Sequence, residues 1–352
     1  MTSETVVVIG GGPGGLRAAR GVAELGASVV LLEKDERLGG TPIRENYAGL
    51  TPHGLKAEPL MNQMAEAVTS NPHADVRLQT TPVALSGEPG SFTLTVSGPD
   101  GTSDIECGAI VVATGFQHFD PGRETQMYGY YEFDDVITLP DLEAMLKVEN
   151  VVRPSNGEAP KSLCFVQCVG SRDRRIGNEY CSKVCCGVAS KEAIEVRELL
   201  PDCKVYIFYI DMRMYGYWEN EIYWKAQEKQ HVQYVKGVIT EVLPKGDGLV
   251  VRGEDTTMGR PMELPMDIVV LSVGMEPSQG TREMAPMLGI DANRFGFIDG
   301  PEAPLDPVAT SRPGIYACGA ALGPADLEDS VSSGANAAMK AVGFVRGLVQ
   351  AG

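Results

Sequence analysis

Thr5 to Gly15 reads Thr-Val-Val-Val-Ile-Gly-Gly-Gly-Pro-Gly-Gly. The β-branched run predicts a strand buried on both faces, broken by a glycine-rich turn. A helical pattern follows from Gly14 to Leu25, with Gly26 placed to cap it. Ala27 to Glu33 is the next strand, so the opening of the chain is one βαβ unit. Gly10, Gly12 and Gly15 satisfy the dinucleotide pattern G-x-G-x-x-G. The first serves the tight turn, the second the approach of backbone to a pyrophosphate, and the third close helix–strand packing. Pro13 and Gly14 open a helix whose unpaired N–H groups and positive dipole end suit phosphate. Glu33 closes the second strand, where a carboxylate accepts from both hydroxyls of an adenosine ribose and disfavours a 2′-phosphate.

Outward from this unit, residues 55–70 read as a helix. Val76 to Leu78, Ser91 to Ser97 and Ser103 to Cys107 read as short antiparallel strands. Ala109 to Ala113 is a buried strand ended by Thr114-Gly115. A second α/β pattern begins near residue 125. Its expected elements are strands at Leu163 to Gln167, Val205 to Ile210 and Val232 to Val235, and helices at Val184 to Leu200 and 216–230. A hairpin over Val238 to Leu243 and Gly248 to Arg252 follows, and then a closing strand from Asp267 to Val273. From Pro277 the chain returns to the first domain, through a strand at Gly314 to Cys318 and a final helix from Ser330 to Leu348. That helix carries Gly334, Ala335 and Ala338 on one face. The expected domains are 1–124 with 277–352, and 125–276.

The formal net charge is −17 in 352 residues, which disfavours nucleic acid and anionic membrane surfaces as partners. No apolar stretch of membrane-spanning length and no signal peptide is expected, so the location is read as cytoplasmic. Eight cysteines without a secretory signal then read as thiols or metal ligands sooner than as disulfides.

Four of these, Cys168, Cys181, Cys185 and Cys186, follow the spacing C-x12-C-x3-C-C. Cys168 ends a strand, and Cys181 and Cys185 are expected on one side of a helical turn. Four thiolates converging on a helix start suit a [4Fe–4S] cluster, whose negative charge the helix dipole offsets. The alternatives are zinc, which commonly uses paired knuckles, and cysteines that are merely buried. A bridge between neighbouring Cys185 and Cys186 is disfavoured, because adjacent Cα atoms lie about 3.8 Å apart and disulfides prefer about 5.5 Å. A redox C-x-x-C is absent from the sequence. Cys107, Cys164, Cys203 and Cys318 sit in apolar segments or at their edges and read as packing residues.

Two sets of residues carry a family resemblance. Glu33-Lys34, Gly39-Gly40, Ala113-Thr114-Gly115 and Gly314 to Ala320 resemble the FAD domain of the thioredoxin reductase and pyridine nucleotide–disulfide oxidoreductase superfamily. The resemblance implies an α/β fold of two dinucleotide-binding domains. It implies FAD held by Gly10, Gly12, Pro13, Gly14, Gly15, Glu33, Lys34, Gly39, Gly40, Ala113, Thr114, Gly115, Gly319 and Ala320. It also places the start of the final helix, at Asp329, Ser330 and Val331, by the flavin pyrimidine. Where the superfamily has Asp after the last glycine, this chain has Ala320; Asp326 or nearby backbone would take that role.

The second set is Gln167 to Asp173, Tyr180 to Cys186, Tyr209-Ile210-Asp211-Met212-Arg213, Leu271 to Pro277 and Gly323 to Asp326. Together they resemble the A-type subunits of heterodisulfide reductases, in the short form found in the heterodisulfide-reductase-like complexes of sulfur oxidisers. That resemblance implies an electron-transfer subunit, with a [4Fe–4S] cluster on the four cysteines in a degenerate second domain. It further implies iron–sulfur subunits and a lipoate-binding protein as partners, and a homodimer by analogy. No glycine fingerprint follows the strand Ser162 to Gln167, where relatives that use nicotinamide carry one. Arg172, Arg174 and Arg175 read as a solvated charged loop. The competing readings are a self-contained NAD(P)H-dependent flavin disulfide reductase and a non-enzymatic assembly or sensor protein whose cluster is structural or regulatory.

Overall fold

The computed structural model describes residues 3–124, 128–301 and 304–347. The chain folds as two compact units: Met1–Arg44, Ala57–Gln117 and Glu276–Gly352 form one, Glu45–Lys56 and His118–Met275 the other.

The first unit opens with β1 (Val6–Ile9), α1 (Pro13–Glu24) and β2 (Val29–Leu32). All four residues of each strand are buried, as apolar β-branched runs between helix layers must be. Gly26 follows α1 with positive φ, its N–H closing on the Ala23 carbonyl. Next come α2 (Ala57–Thr69), β3 (Ala74–Arg77), β4 (Thr81–Glu88), β5 (Ser91–Gly98), β6 (Gly101–Cys107) and β7 (Ala109–Val112). β3 is not part of an antiparallel set, as its short alternation suggests. It lies parallel to β2, Val29 opposite Ala74, at the edge of the main sheet. The antiparallel layer is β4-β5-β6, and β4 has no counterpart in the sequence reading.

The second unit begins with β8 (Val136–Thr138) and α3 (Leu139–Lys147). It continues through β9 (Ser162–Val169), α4 (Cys185–Leu199) and β10 (Lys204–Tyr209) to a π-helix over Glu219–Lys229. β11 (Gln233–Lys245), β12 (Gly248–Asp255), β13 (Arg260–Met266) and β14 (Ile268–Val273) complete it. The sheet order is β8-β14-β9-β10-β11-β12-β13, parallel as far as β11 and antiparallel beyond. The expected strand at Val232 to Val235 and the first hairpin arm are one strand here. β11 carries its pairing through an irregularity between Ile239 and Glu241. The helical face of the sheet buries Leu163, Phe165, Ile207, Ile268 and Val270 against Leu142, Ala189, Ala193 and Val196.

The chain then re-enters the first unit with α5 (Gln279–Leu288), β15 (Ile315–Ala317) and α6 (Leu327–Val345). The first sheet is β15-β7-β1-β2-β3, all parallel. α6 starts three residues earlier than the sequence reading places it, because Asp326 caps it and Asp329 completes a reciprocal capping box. Leu348, the expected end, lies outside the described residues. The small residues of α6 do what close packing requires: a Cβ on Gly334 would stand 2.4 Å from the Gly14 carbonyl oxygen in α1.

Candidate functional site

In the first unit the residues expected at the dinucleotide site converge on the turn after β1. A Cβ on Gly15 would lie 1.8 Å from the Gly10 oxygen, and one on Gly10 would lie 2.4 Å from the Ala113 oxygen. Glycine here is dictated by contact between β1, α1 and β7. Gly40, at φ +61°, presses its backbone on Gly12, where a Cβ would come within 2.7 Å of the Gly12 Cα. The Gly39 N–H donates to the Gly11 oxygen at 2.8 Å. The loop holding Gly39 and Gly40 is therefore laid against the fingerprint turn.

Above Gly12 itself there is room: a Cβ there would meet only the Gly40 Cα, at 3.8 Å. Gly12 is the N-cap of α1, Pro13 begins the helix, and no side chain caps it. The turn thus presents uncapped helix N–H groups beside an open backbone surface, the arrangement a pyrophosphate requires. Gly14 packs 3.4 Å (measured from its Cβ position) from Gly319 and from the Ser330 oxygen, so β1, β15 and α6 meet at the same turn.

Glu33 is buried, and burial raises its carboxyl above the ordinary range. Its Oε2 accepts from the Gly11 N–H at 2.7 Å and Oε1 from the Asp35 N–H at 3.0 Å. Each oxygen keeps a further lone pair for a ribose hydroxyl. Lys34, grouped with it on resemblance, is exposed.

The segment Ala113-Thr114-Gly115 is held by two residues the sequence reading passes over. Ser278 Oγ donates to the Thr114 oxygen at 2.8 Å, and Thr281 Oγ1 donates to the Gly115 oxygen at 2.8 Å. Ser278 also caps α5, accepting from the Thr281 N–H. The legible signal is Ser-x-x-Thr at a helix start.

Gly319 and Ala320 form a buried 3-10 turn after β15. The Gly319 N–H donates to Ser333 Oγ at 2.9 Å. Asp329, Ser330 and Val331 occupy the first turns of α6, and Ser330 Oγ donates to the Asp326 oxygen. The Asp326 carboxylate accepts from the Asp329 N–H at 2.8 Å, so it is engaged in capping the helix.

In the second unit, Cys168 lies at the C-terminal end of β9 with φ +66°. The strand breaks step there, its pairing with β14 shifting between Val166 and Val169. Cys185 and Cys186 are the first two residues of α4, whose N-cap, Val184, supplies no side-chain cap. Cys181 is not on a helical turn with Cys185, as its spacing suggests. α4 begins only at Cys185, and Lys183 at φ +60° turns the chain between them. The Lys183 N–H donates to Cys181 Sγ at 3.3 Å.

Burial pushes all three neighbouring thiols up, Cys186 to about 11, Cys185 well above the ordinary range and Cys168 in the same direction. Negative charge on one thiol raises the others: Cys185 feels Cys186, Cys168 and Cys181. Among the described residues no group of three His, Cys, Asp or Glu side chains is placed to hold a metal ion. The donor set of four thiols and an uncapped helix start suits a centre that spreads its ligands over several metals and carries negative charge. Gln167, with both amide atoms buried and unpartnered among the described residues, sits beside Cys168 in the chain, and Ser171 Oγ is in the same condition. Such groups are costly to bury unless a partner hydrogen-bonds with them.

Arg172 is not the solvated residue its loop suggests. Its side chain is 19% exposed and its Nη2 donates to Asp211 Oδ2 at 2.6 Å. Arg174 is solvated, at 91% exposure, and Arg175 pairs with Asp173. Cys107, Cys164, Cys203 and Cys318 are buried, and burial holds Cys107, Cys203 and Cys318 up at about 12.

Residues 4–341 match the pyridine nucleotide-disulphide oxidoreductase family. The chain belongs to that family. It is therefore an oxidoreductase, and membership supports FAD as the cofactor of the first unit. The thioredoxin reductase of T. acidophilum has the same fold, with a TM-score of 0.65 over 98% of both chains at 18% identity. The chain is 38% identical over 254 residues to the A-type subunit of the H(2):CoB-CoM heterodisulfide,ferredoxin reductase of Methanothermobacter thermautotrophicus, covering 70% of this chain and 38% of that relative. It is 40% identical over 243 residues to an A-type iron-sulfur subunit of the CoB--CoM heterodisulfide reductase of Methanopyrus kandleri, covering 67% of this chain and 37% of that relative. The matched stretches thus span under two fifths of these relatives' own length. Among the described residues no helix is long and apolar enough to cross a membrane.

Proposed function

We propose that this family member is an electron-transfer subunit of a heterodisulfide-reductase-like complex, with FAD in the first unit and a [4Fe–4S] cluster on Cys168, Cys181, Cys185 and Cys186. The observation that carries the reading is the Cys168 turn. The strand end that would need a glycine fingerprint for a second dinucleotide instead has Cys168, against the side chain of Arg172, whose ion-pair partner Asp211 has its carbonyl oxygen 3.9 Å from Cys186 Sγ at the start of α4. The Methanopyrus relative is named as an iron-sulfur protein, which supports it.

FAD, when bound, supplies two-electron chemistry, and a cluster passes electrons singly. The work of the chain's own residues is to bind and orient. The α1 start and Gly12 receive the pyrophosphate, Glu33 the ribose, and the Ser278–Thr281 clamp fixes the Ala113–Gly115 segment. The start of α6 directs its positive end to the flavin. The four cysteines would hold the cluster; burial favours the protonated thiols of Cys168, Cys185 and Cys186, so a metal would have to displace their protons on binding. The reading extends to iron–sulfur partner subunits, a lipoate-borne sulfur substrate in oxidative sulfur metabolism, a cytoplasmic location and a homodimer.

The family's name and fold favour one competitor, a self-contained NAD(P)H-dependent disulfide reductase. Anaerobic titration of the flavoprotein with NADH and NADPH separates them. The complex-subunit reading expects no fast bleaching of the flavin by either nucleotide. Rapid bleaching by one of them contradicts it and favours the competitor.

A further inference from the structure

Two of the four candidate ligands lie against the two residues of one ion pair, Cys168 against the Arg172 side chain and Cys186 against the Asp211 backbone. Arg172 reaches Cys168 Sγ with Nη1 at 3.9 Å while its Nη2 donates to Asp211 Oδ2 at 2.6 Å. The backbone of Asp211 meets a second ligand: Cys186 Sγ lies 3.9 Å from the Asp211 carbonyl oxygen. The Arg172 backbone is itself fixed, at φ +58°, by its N–H to the Tyr180 oxygen at 2.8 Å, next to Cys181. A guanidinium placed this way cannot be a casual surface charge. It is four-fifths buried, held in a conformation that non-glycine residues rarely adopt, and aimed at sulfur.

Arginine keeps its charge at every working pH and donates in a fixed fork, so one arm can be anchored while the other is presented. A fixed positive charge and an N–H donor beside a ligand sulfur favour whichever state of the centre carries more negative charge. Asp211 opposes that charge in part and holds its geometry.

We propose that Arg172 and Asp211 form a charge clamp across Cys168 and Cys186 that sets the potential at which the centre accepts an electron, with Arg172 as a positioning residue. The proposal rests on the cluster reading above. A cluster held by these cysteines would take up one electron from a one-electron reductant such as dithionite, with no bond made or broken. The clamp changes only how favourable that uptake is.

The test uses the full chain, purified anaerobically, in wild type, Arg172→Gln, Arg172→Lys and Asp211→Asn. Iron per chain is counted first. The midpoint potential is then read by dye-mediated titration, with dithionite as reductant and electron paramagnetic resonance as signal. Removing the guanidinium should make reduction about tenfold harder, a shift of about 59 mV downward for a one-electron couple. Arg172→Lys, which keeps the charge and loses the fork, should fall between. Asp211→Asn, which removes the opposing charge, should shift the potential upward.

Variants that hold wild-type iron with an unmoved potential would overturn the clamp. So would Arg172→Gln and Asp211→Asn shifting together in one direction, since that marks a shared loss of structure. If Arg172→Gln loses its iron, Arg172→Lys and Asp211→Asn decide by the sign of their shifts. Wild-type protein without iron overturns the cluster reading itself, and the clamp with it.

Discussion

Lys191 of α4 and Glu143 of α3 form an ion pair sealed inside the second unit, their side chains 7% and 4% exposed. The other Glu143 oxygen accepts from the Ala48 N–H at 2.9 Å and the Gly49 N–H at 3.3 Å, and Lys191 Nζ also donates to the Gly49 oxygen. One salt bridge therefore pins the segment 45–56 to the helical layer of its own unit. Breaking a buried pair leaves one charge without compensation. Lys191→Met should cost about 3–5 kcal/mol of stability. Adding Glu143→Leu should recover part of that loss, unless the freed Ala48 and Gly49 N–H groups dominate. Urea unfolding of the single and double variants measures both.

Glu192 lies fully buried beside this pair, with neither carboxyl oxygen hydrogen-bonded among the described residues. Burial, and then the negative charge of Glu143, holds its pKa well above the ordinary value, while Lys191 opposes and Glu195 adds to the rise. A carboxyl raised in the folded state binds more protons folded than unfolded. Stability from this group is complete below the unfolded pKa near 4.5 and is lost as pH climbs from there through the folded value. Glu192→Gln should flatten that decline and leave the variant the more stable protein at alkaline pH. Thermal melts across pH 5 to about 9 read the slope, and parallel curves for the two proteins would contradict the assignment.

Gly15→Ala places a methyl 1.8 Å from the Gly10 oxygen. The turn must move, at about 1–3 kcal/mol, and the pyrophosphate surface moves with it. The variant should fold and purify with little flavin. Visible absorbance against protein concentration checks this.

Asp326→Ala removes the carboxylate that accepts from the Asp329 N–H at the start of α6 and leaves the backbone N–H of position 326 donating to Asp329 Oδ2. The cost should be about 0.5–2 kcal/mol, measured by denaturant unfolding.

The opening βαβ unit is legible in the sequence because its strand, turn, helix and acid all depend on neighbours along the chain. The glycines are dictated by backbone contacts that any occupant with a Cβ would violate. The cysteine set is legible as a pattern, and its neighbourhood is not. Arg172 finds its partner 39 residues on, at Asp211, and nothing local reports that contact. Cys181 and Cys185 look helical by spacing, yet Lys183 at positive φ starts the helix later. The pairing of β3 is hidden because four residues of mixed burial at a sheet edge carry no signal for parallel or antiparallel neighbours. β11 reads as two strands because Lys236-Gly237 looks like a break, whereas there the strand exchanges its parallel neighbour β10 for the antiparallel β12 without ending. Ser278 and Thr281 are visible as a helix start and silent about what they hold.

Anaerobic purification with flavin, iron and acid-labile sulfide counted per chain, for wild type and for Cys168→Ser, tests the central claim most directly. The account predicts about one flavin and about four irons with matching sulfide in wild type, and a Cys168→Ser protein that keeps its flavin while losing its iron. Wild-type protein that carries flavin and no iron would contradict it.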